Sequence, residues 1–405
     1  MSLWSYSNYW LGFSVRMRSR NSEATVGINL HIYPSPILNE SRIQRETRSS
    51  FATGCFSRVE VAGVWQQGLA RSEQWMEGVW IRRFGNETSG STLAKVKKSI
   101  GMGLALVAFY RKKNISVINC HSVAALPVCR LLATLTGASL IYDTHELETE
   151  TLVESRYKKR LYKTVEAALI RGTDHTFVVG EEIADWYRQR YPGINLGTLY
   201  NFPSAFDDRA EVTDKYFHKY FDLPSQDVVF LYSGVIAPGR GIDTLLEAFT
   251  TVPRHWVLVF MGYGPGVATV KEATTKNPRI RYHPPVPPEE VLAHTKHADI
   301  GLSLIQPGAC LSYELSAPNK LFQYAYCGLI PVVSDIPEQR RFVDTHNWGV
   351  VVPDLSAVGV RVGCESALLQ LAEERQTPQT AVAWEQYDPV IAACHEQLLR
   401  TSGRT

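Results

Sequence analysis

Between Phe230 and Arg340 the chain reads as strand, glycine-bearing loop and helix, repeated, and this alternation leaves few folds open to it. The apolar runs Val229 to Tyr232, Val257 to Met261 and Pro331 to Val333 are each followed by a turn and a helical stretch, the pattern of parallel strands joined by helical crossovers. The turns carry Ser233-Gly234-Val235 with Gly239-Arg240-Gly241, then Gly262-Tyr263-Gly264-Pro265-Gly266. Pro318-Asn319-Lys320-Leu321-Phe322-Gln323-Tyr324 opens a later helix, and Gly328 through Ser334-Asp335 closes the series. Glycine lets backbone N–H groups approach a ligand closely, and a helix opening after such a loop aims its positive end at bound phosphate. A phosphorylated ligand is therefore the first expectation.

An earlier series shows the same alternation. An apolar run from Thr25 to Pro34 predicts a first strand, with a helix near Glu40 to Ala52 and strands near Val59 to Val64 and Gly78 to Ile81. Helix Leu93 to Lys112, strand Ser116 to Asn119, helix Val123 to Thr136 and strand Ser139 to Asp143 follow. Helix Tyr157 to Ile170, strand His175 to Val179, helix Glu181 to Tyr191 and a strand near Thr198 complete it. Each series predicts a doubly wound parallel sheet, so the class is α/β. At 405 residues, 45% of them hydrophobic, the chain can bury two such cores. The polar, proline-bearing stretch from Asn201 to Pro224 reads as a linker. The domains expected are 1–204 and 205–380, with 381–405 a closing helical element after a helix at Val360 to Glu374 and a polar break around Gln376 to Gln379.

A net charge of +2 argues against a dedicated nucleic-acid binder. The seven cysteines, at 55, 120, 129, 310, 327, 364 and 394, contain no C-x-x-C pair, and read as reduced, buried thiols rather than a disulfide scaffold or zinc site. At the N-terminus the aromatics Trp4, Tyr6, Tyr9, Trp10 and Phe13 precede Arg16, Arg18 and Arg20, the reverse of a secretory signal. The longest uncharged run resembling a membrane span, Ser99 to Tyr110, is too short to cross a bilayer. These features predict a cytoplasmic protein, soluble or on the inner face of a membrane. A basic cluster, Arg156, Lys158, Lys159, Arg160 and Lys163, precedes the apolar Val165 to Ile170 in one helix, and Lys95, Lys97, Lys98 with Arg111 to Lys113 add to it. Such a helix either forms a solvated face or rests on anionic lipid.

In their order, the motifs from Ser233 to Asp335, with Tyr142-Asp143-Thr144-His145-Glu146 directly after a strand of the first series, resemble the retaining glycosyltransferases of family 4, which have the GT-B architecture. The resemblance covers Asn119 to Asn201 and Val228 to Val352, and weakens before Val79. It implies two Rossmann-like domains facing a central cleft, a last helix returning to the first domain, and a nucleotide-diphosphate-sugar donor held mainly by the second. It further implies a glycan or lipid-linked acceptor of a cell-surface polysaccharide pathway, with no cofactor and no metal ion.

At the level of residues, Arg240 and Lys320 would stabilise the leaving diphosphate, and His145 would contact the transferred sugar. Asp143 and Glu146 would shape the acceptor side. Gly234, Gly239, Gly241, Gly262, Gly264 and Ser334 would line the donor site, and Gln323 would hold the ribose. A guanidinium beside exposed backbone donors suits a diphosphate that gains charge as the sugar leaves, whereas a plain turn would carry a solvated Arg240. Lys320 lies near a helix N-terminus, an end that disfavours a cation unless an anion is present.

Three positions depart from the family pattern. Val235 stands where a first arginine is common, Leu315 where the first acid of E-x7-E falls, and Gln323 where the second does. A glutamine amide still donates to and accepts from hydroxyls. Glu314, one residue out of register, either reaches the donor sugar or is a surface carboxylate. The loop after the first strand, Tyr33 to Asn39, has no glycine where relatives often place several, though Ser41 to Glu46 resembles the arginine-rich start of the next helix. His145 with its carboxylates equally fits a general acid–base pair or a metal site, metal being disfavoured because no second His or Cys stands at suitable spacing. A nucleotide-sugar-binding subunit without activity and a sugar-nucleotide epimerase are the alternative functions.

Overall fold

The computed structural model describes residues 27–85, 92–151, 155–373 and 378–403, and of 92–98 the backbone alone. The run from Trp4 to Arg20, the side chains of Lys95, Lys97 and Lys98, and Gln376 lie outside the described residues.

The first series forms an eight-stranded sheet of order β3-β4-β2-β1-β5-β6-β7-β8. Its strands are β1 (Ile28–Ile32), β2 (Arg58–Val64), β3 (Ser72–Met76), β4 (Val79–Phe84), β5 (Ile115–Cys120), β6 (Ser139–Asp143), β7 (His175–Val178) and β8 (Leu196–Thr198). They alternate with α1 (Ser41–Ala52), α2 (Thr92–Tyr110), α3 (Leu126–Thr136), α4 (Arg156–Leu169) and α5 (Glu181–Arg190), and α6 (Tyr216–Phe221) follows. The second sheet has order β11-β10-β9-β12-β13-β14 and is parallel throughout. It comprises β9 (Val228–Val235), β10 (Trp256–Tyr263), β11 (Ile280–His283), β12 (Ile300–Ser303), β13 (Ile330–Val333) and β14 (Val350–Val351). With it alternate α7 (Ile242–Ala248), α8 (Val267–Lys276), α9 (Val291–Thr295), α10 (Leu311–Glu314), α11 (Asn319–Cys327), α12 (Pro337–His346) and α13 (Ala357–Ala372), before a last helix α14 (Asp388–Thr401).

The central strands are buried along nearly their whole length, because helices cover both faces of each sheet. In the first sheet the chain reverses direction between β4 and β5, so right-handed crossovers put α1 on one face and α2 to α5 on the other. There α2, α3 and α4 lie side by side. The last helix crosses back and packs on α1 and β5. Trp384 Nε1 donates to Ser49 Oγ (2.9 Å), and Ser49 Oγ donates to Asp388 Oδ1 (2.6 Å), fastening that return.

Several local expectations differ from what forms. An antiparallel edge strand, β3, precedes β4; its sequence SEQWM is polar and mostly exposed, so a criterion of apolar runs passes over it. The expected linker contains α6, which exists because Phe217 buries completely against β9 and β10. Gly262 and Tyr263 belong to β10 rather than to a loop, pairing with Gly234 and Val235 of β9. A Cβ on Gly262 would sit 1.8 Å from the Gly234 carbonyl oxygen, so the strands approach this closely only with glycine there. The helix expected from Val123 starts at Leu126, because the Glu148 carboxylate accepts from Ser122 Oγ (2.9 Å) and Val123 N–H (3.1 Å) and holds a turn before it. All seven cysteines are free thiols. Among the described residues no helix is long and apolar enough to cross a membrane.

Candidate active site

The carboxyl ends of β1, β5 and β6 meet where the first sheet's strand order reverses, the place where doubly wound sheets hold ligands. Tyr33 follows β1, His121 follows β5, and His145 follows β6 by two residues. Beneath them Asp143 is 1% exposed and bound by Arg42 of α1, whose Nη2 donates to Oδ1 (2.6 Å) and Nε to Oδ2 (3.0 Å). The same Oδ2 lies 3.0 Å from His121 Nδ1 and 3.1 Å from His145 Nε2. Burial opposes the charge, yet the Arg42 guanidinium and the two imidazoles hold Asp143 well below the usual carboxylate range. Asp143 is thus buried beneath His145 and holds its ring by a carboxylate contact.

His145 is partly exposed, and its ring stands 5.2 Å from that of Tyr33. Glu146 is exposed at the mouth of the cleft; crowding raises its carboxyl, while the charges of His145 and Arg240 pull it down. Glu146 of the first domain thus feels the charge of Arg240 on the second.

Behind Asp143 runs a buried polar chain that spacing did not reveal. His121 Nε2 lies 2.8 Å from His31 Nδ1, and His31 Nε2 lies 3.3 Å from Asn119 Nδ2. Asn119 donates to Asn29 Oδ1 (2.6 Å), and Asn29 Nδ2 lies 3.4 Å from His395 Nε2 on α14. Burial lowers His121 to about 4 and, with His121 beside it, His31 well below its ordinary value. His31 and His121, arriving from other strands, bring further imidazoles that sequence spacing does not show, His121 beside His145 and His31 beside His121. Two triads, His31-Glu46-His121 and His121-Asp143-His145, have ligand atoms within 4.8 Å of one another. The Arg42 guanidinium, however, already contacts both carboxylates, at 2.9 Å from Glu46 and 2.6 Å from Asp143. His121 directly follows the observed β5, which runs one residue past the end of the strand expected from sequence.

The loop after β1 turns without glycine by holding Ile37 at φ +56°, a conformation costly for a β-branched residue. Ile37 is buried, its N–H bonds Ser35 Oγ (3.0 Å), and Arg83 Nε donates to Pro36 O (2.6 Å).

Across the cleft, the second sheet reverses order between β9 and β12, and Gly234, Gly239 and Gly241 lie at the end of β9 and in the loop after it. Gly234 and Gly239 have open space where a side chain would stand or only distant neighbours. Gly241 is left-handed (φ +67°) and a Cβ there would meet Leu304 Cβ at 2.5 Å, so glycine alone lets α7 start against β12. Gly264 sits against the Ile236 carbonyl, joining the two loops. Ser334 is fully buried and accepts from Ile305 N–H (2.7 Å), so it braces the ends of β12 and β13.

Arg240 is half-buried, donating weakly to Tyr313 Oη (3.3 Å) with its guanidinium over that ring. Lys320, in the first turn of α11, is only 8% exposed, and its Nζ stands 3.3 Å above the centre of the Tyr232 ring. Among the described residues neither cation forms an ion pair with a carboxylate, Glu146 acting on Arg240 only at longer range. Burial, and then the charge of Arg240, drive the Lys320 ammonium well below its ordinary value. Asn319, just before it, accepts from Asn201 Nδ2 (2.8 Å), tying α11 to the first domain. One turn further, Gln323 is partly exposed, and its amide makes no hydrogen bond among the described residues. Glu314 Oε1 accepts from Gly308 N–H (2.8 Å) and closes its own loop. Leu315, with Leu311, packs on the first domain's core near the segment after His145.

Residues 227–362 match the family model described as glycosyl transferases group 1, and residues 52–195 match that of a glycosyl transferase 4-like domain. No curated protein sequence matches the chain. Among solved structures, sucrose-phosphate synthase from Thermosynechococcus elongatus superposes with a TM-score of 0.73 at 15% identity, over 93% of this chain and 98% of that one. A glycosyltransferase from Rickettsia africae gives 0.63 at 13% identity, over 94% and 98%. Anabaena HepE in complex with UDP-glucose gives 0.62 at 11% identity, over 94% and 100%. At these identities the superpositions speak for the fold, two doubly wound domains in the GT-B arrangement.

Proposed function

The two matched domains make the chain a group 1 glycosyltransferase, a nucleotide-sugar-dependent enzyme of hexosyltransferase type, and from that premise we propose that it is a retaining enzyme of family 4. Its acceptor is a glycan or lipid-linked oligosaccharide of a cell-surface polysaccharide pathway. The bond from the anomeric carbon to the diphosphate breaks, the diphosphate leaves with the electron pair, and the acceptor hydroxyl oxygen bonds to that carbon as its proton passes to the departing diphosphate.

One observation carries the donor assignment. Lys320 is buried beside Arg240 with an aromatic face and, among the described residues, no carboxylate to balance it, an arrangement that costs stability unless an anion completes it. A diphosphate is that anion, and its charge grows as the sugar departs, so the two cations act most strongly in the transition state. Gln323, one turn along α11 with its amide unengaged, is placed for ribose hydroxyls. His145, backed by Asp143 and Arg42, faces the reacting sugar from the other wall, and Glu146 borders the acceptor. Glu314 is engaged by its own loop through Gly308 N–H, and the donor assignment does not rest on it.

A thermal-shift panel of nucleoside diphosphates and nucleotide-sugars tests this, because a ligand bound only by the folded state raises its stability. Stabilisation by one base's diphosphates, lost in Arg240→Ala and Lys320→Ala, is the expected result, with turnover reduced at least tenfold if each charge supplies about 1.4 kcal/mol in the transition state. If no diphosphate stabilises the chain, the donor assignment falls and the uncharged Val235, Leu315 and Gln323 favour an inactive subunit.

A further inference from the structure

We propose that the outer surface of α2, α3 and α4 docks on an anionic lipid bilayer, a reading that deepens the lipid-linked acceptor proposed above. Helices on a protein surface turn polar residues outward. Here α2 has no charged residue from Ser99 to Tyr110, and while Leu106 and Tyr110 point into the core, Ile100 and Leu104 on the opposite side are 58% and 63% exposed. The apolar surface continues across the neighbouring helices through Leu131 and Leu135 of α3, then Tyr157 (85% exposed) and Leu161 of α4. Of the fifteen exposed large hydrophobic side chains among the described residues, seven lie on these three helices, too concentrated for scattered surface chance.

Charge selects the occupant. Between residues 88 and 142 the sequence has seven lysines and arginines and no acid. Arg111, Lys112 and Lys113 stand exposed where α2 ends, and Arg156, Lys158 and Arg160 stand exposed where α4 begins. None of these six forms an ion pair among the described residues, whereas Lys159 and Lys163 are held by Glu150. A second copy of the chain would bring the same positive rim against itself, so self-association is opposed by like charge. A bilayer bearing anionic headgroups accepts both the apolar centre and the basic border, with the helices lying in the interface rather than crossing it.

The surface also adjoins the site. These helices start at the carboxyl edge of the first sheet, where His121 and His145 sit, and Glu150 links the segment after His145 to α4 through Lys159 (2.9 Å). An acceptor whose lipid stays in the membrane would thus present its head group beside the cleft.

Co-sedimentation of the full chain with vesicles of phosphatidylcholine alone, and with roughly a third phosphatidylglycerol, tests the assignment. Expected is binding to the anionic vesicles only, weakened at least tenfold in Leu104→Gln and in Arg156→Glu/Lys158→Glu/Arg160→Glu, with nucleoside diphosphate binding unchanged in both variants. These residues are exposed and outside the cleft, so folding is retained. The proposal is overturned if the chain ignores anionic vesicles, if it binds both vesicle types alike, or if Leu104→Gln binds as the wild type does. A dimer that Leu104→Gln dissolves, without vesicle binding, assigns the surface to self-association instead. Diphosphate binding and vesicle binding are separate readouts, so loss of the first in the wild type would sink the donor assignment and leave this one standing.

Discussion

Lys320, the proposed diphosphate ligand, sets that role against stability. Its ammonium is desolvated, faces Arg240 and rests on Tyr232, so the folded state pays for a charge that an anionic ligand would satisfy. Lys320→Met keeps the volume and removes that cost. The expected outcome is a higher thermal midpoint without ligand, together with roughly tenfold weaker nucleoside diphosphate binding or worse, read by calorimetry on the same preparation. A midpoint that drops would mean the lysine is structurally paired. Sequence made Lys320 a candidate through its place at a helix start, but showed neither its burial nor its distance from any acid.

At the scale of elements, the closeness of β9 and β10 sets the loops that follow them. Gly262→Ala places a methyl on the Gly234 carbonyl, and because both partners are backbone in central strands, neither can yield cheaply. A loss of about 3 kcal/mol, read by chemical denaturation, is expected; a neutral result would show that the strands separate freely here. The interdomain contact of α12 with α5 yields a second test. Glu338 of α12 is buried, and its carboxylate accepts from Glu182 N–H (2.7 Å) at the start of α5 and from Tyr200 Oη (2.6 Å). Glu338→Ala strands both donors, costing about 1–3 kcal/mol, and small-angle scattering is expected to show a wider spread of domain arrangements. Nothing in the sequence singles out Glu338, since its partners lie more than a hundred residues away.

At the scale of the whole molecule, the returning helix joins its fate to the protonation of buried histidines. His395 on α14 is lowered to about 3 by burial alone, against an ordinary value of 6.5. In the folded chain it stays neutral while the unfolded chain takes up a proton below about pH 6.5, so its contribution is complete above that pH and is lost as pH falls toward 3. His121, lowered to about 4, acts in the same direction. Glu148, raised to about 7 by burial, works oppositely, favouring the fold at lower pH. His395→Gln keeps an acceptor for Asn29 and removes the titration. Its denaturation midpoint is therefore expected to fall less steeply between pH 6.5 and 4 than that of the wild type. Equal slopes in the two proteins would place the acid sensitivity elsewhere.

What the sequence alone determined was periodic or ordered along the chain. Strand and helix alternation is a local consequence of burying both faces of a parallel sheet, so most elements of the first series, the alternating character of the second, and the order of its glycine loops were readable from the sequence. Short elements of the second series such as β11, β12, β14, α9 and α10 did not stand out one by one. Polar β3 and the one-sided α6 escaped because each is held by neighbours rather than by its own pattern. The site required the tertiary structure for a similar reason. Asp143 draws its partners from Arg42, His121 and His145, three segments separated by up to about a hundred residues, and no spacing rule joins them. Whether a carboxylate lines a pocket or lies beneath it, and whether a lysine is paired, depends on what the fold packs against it.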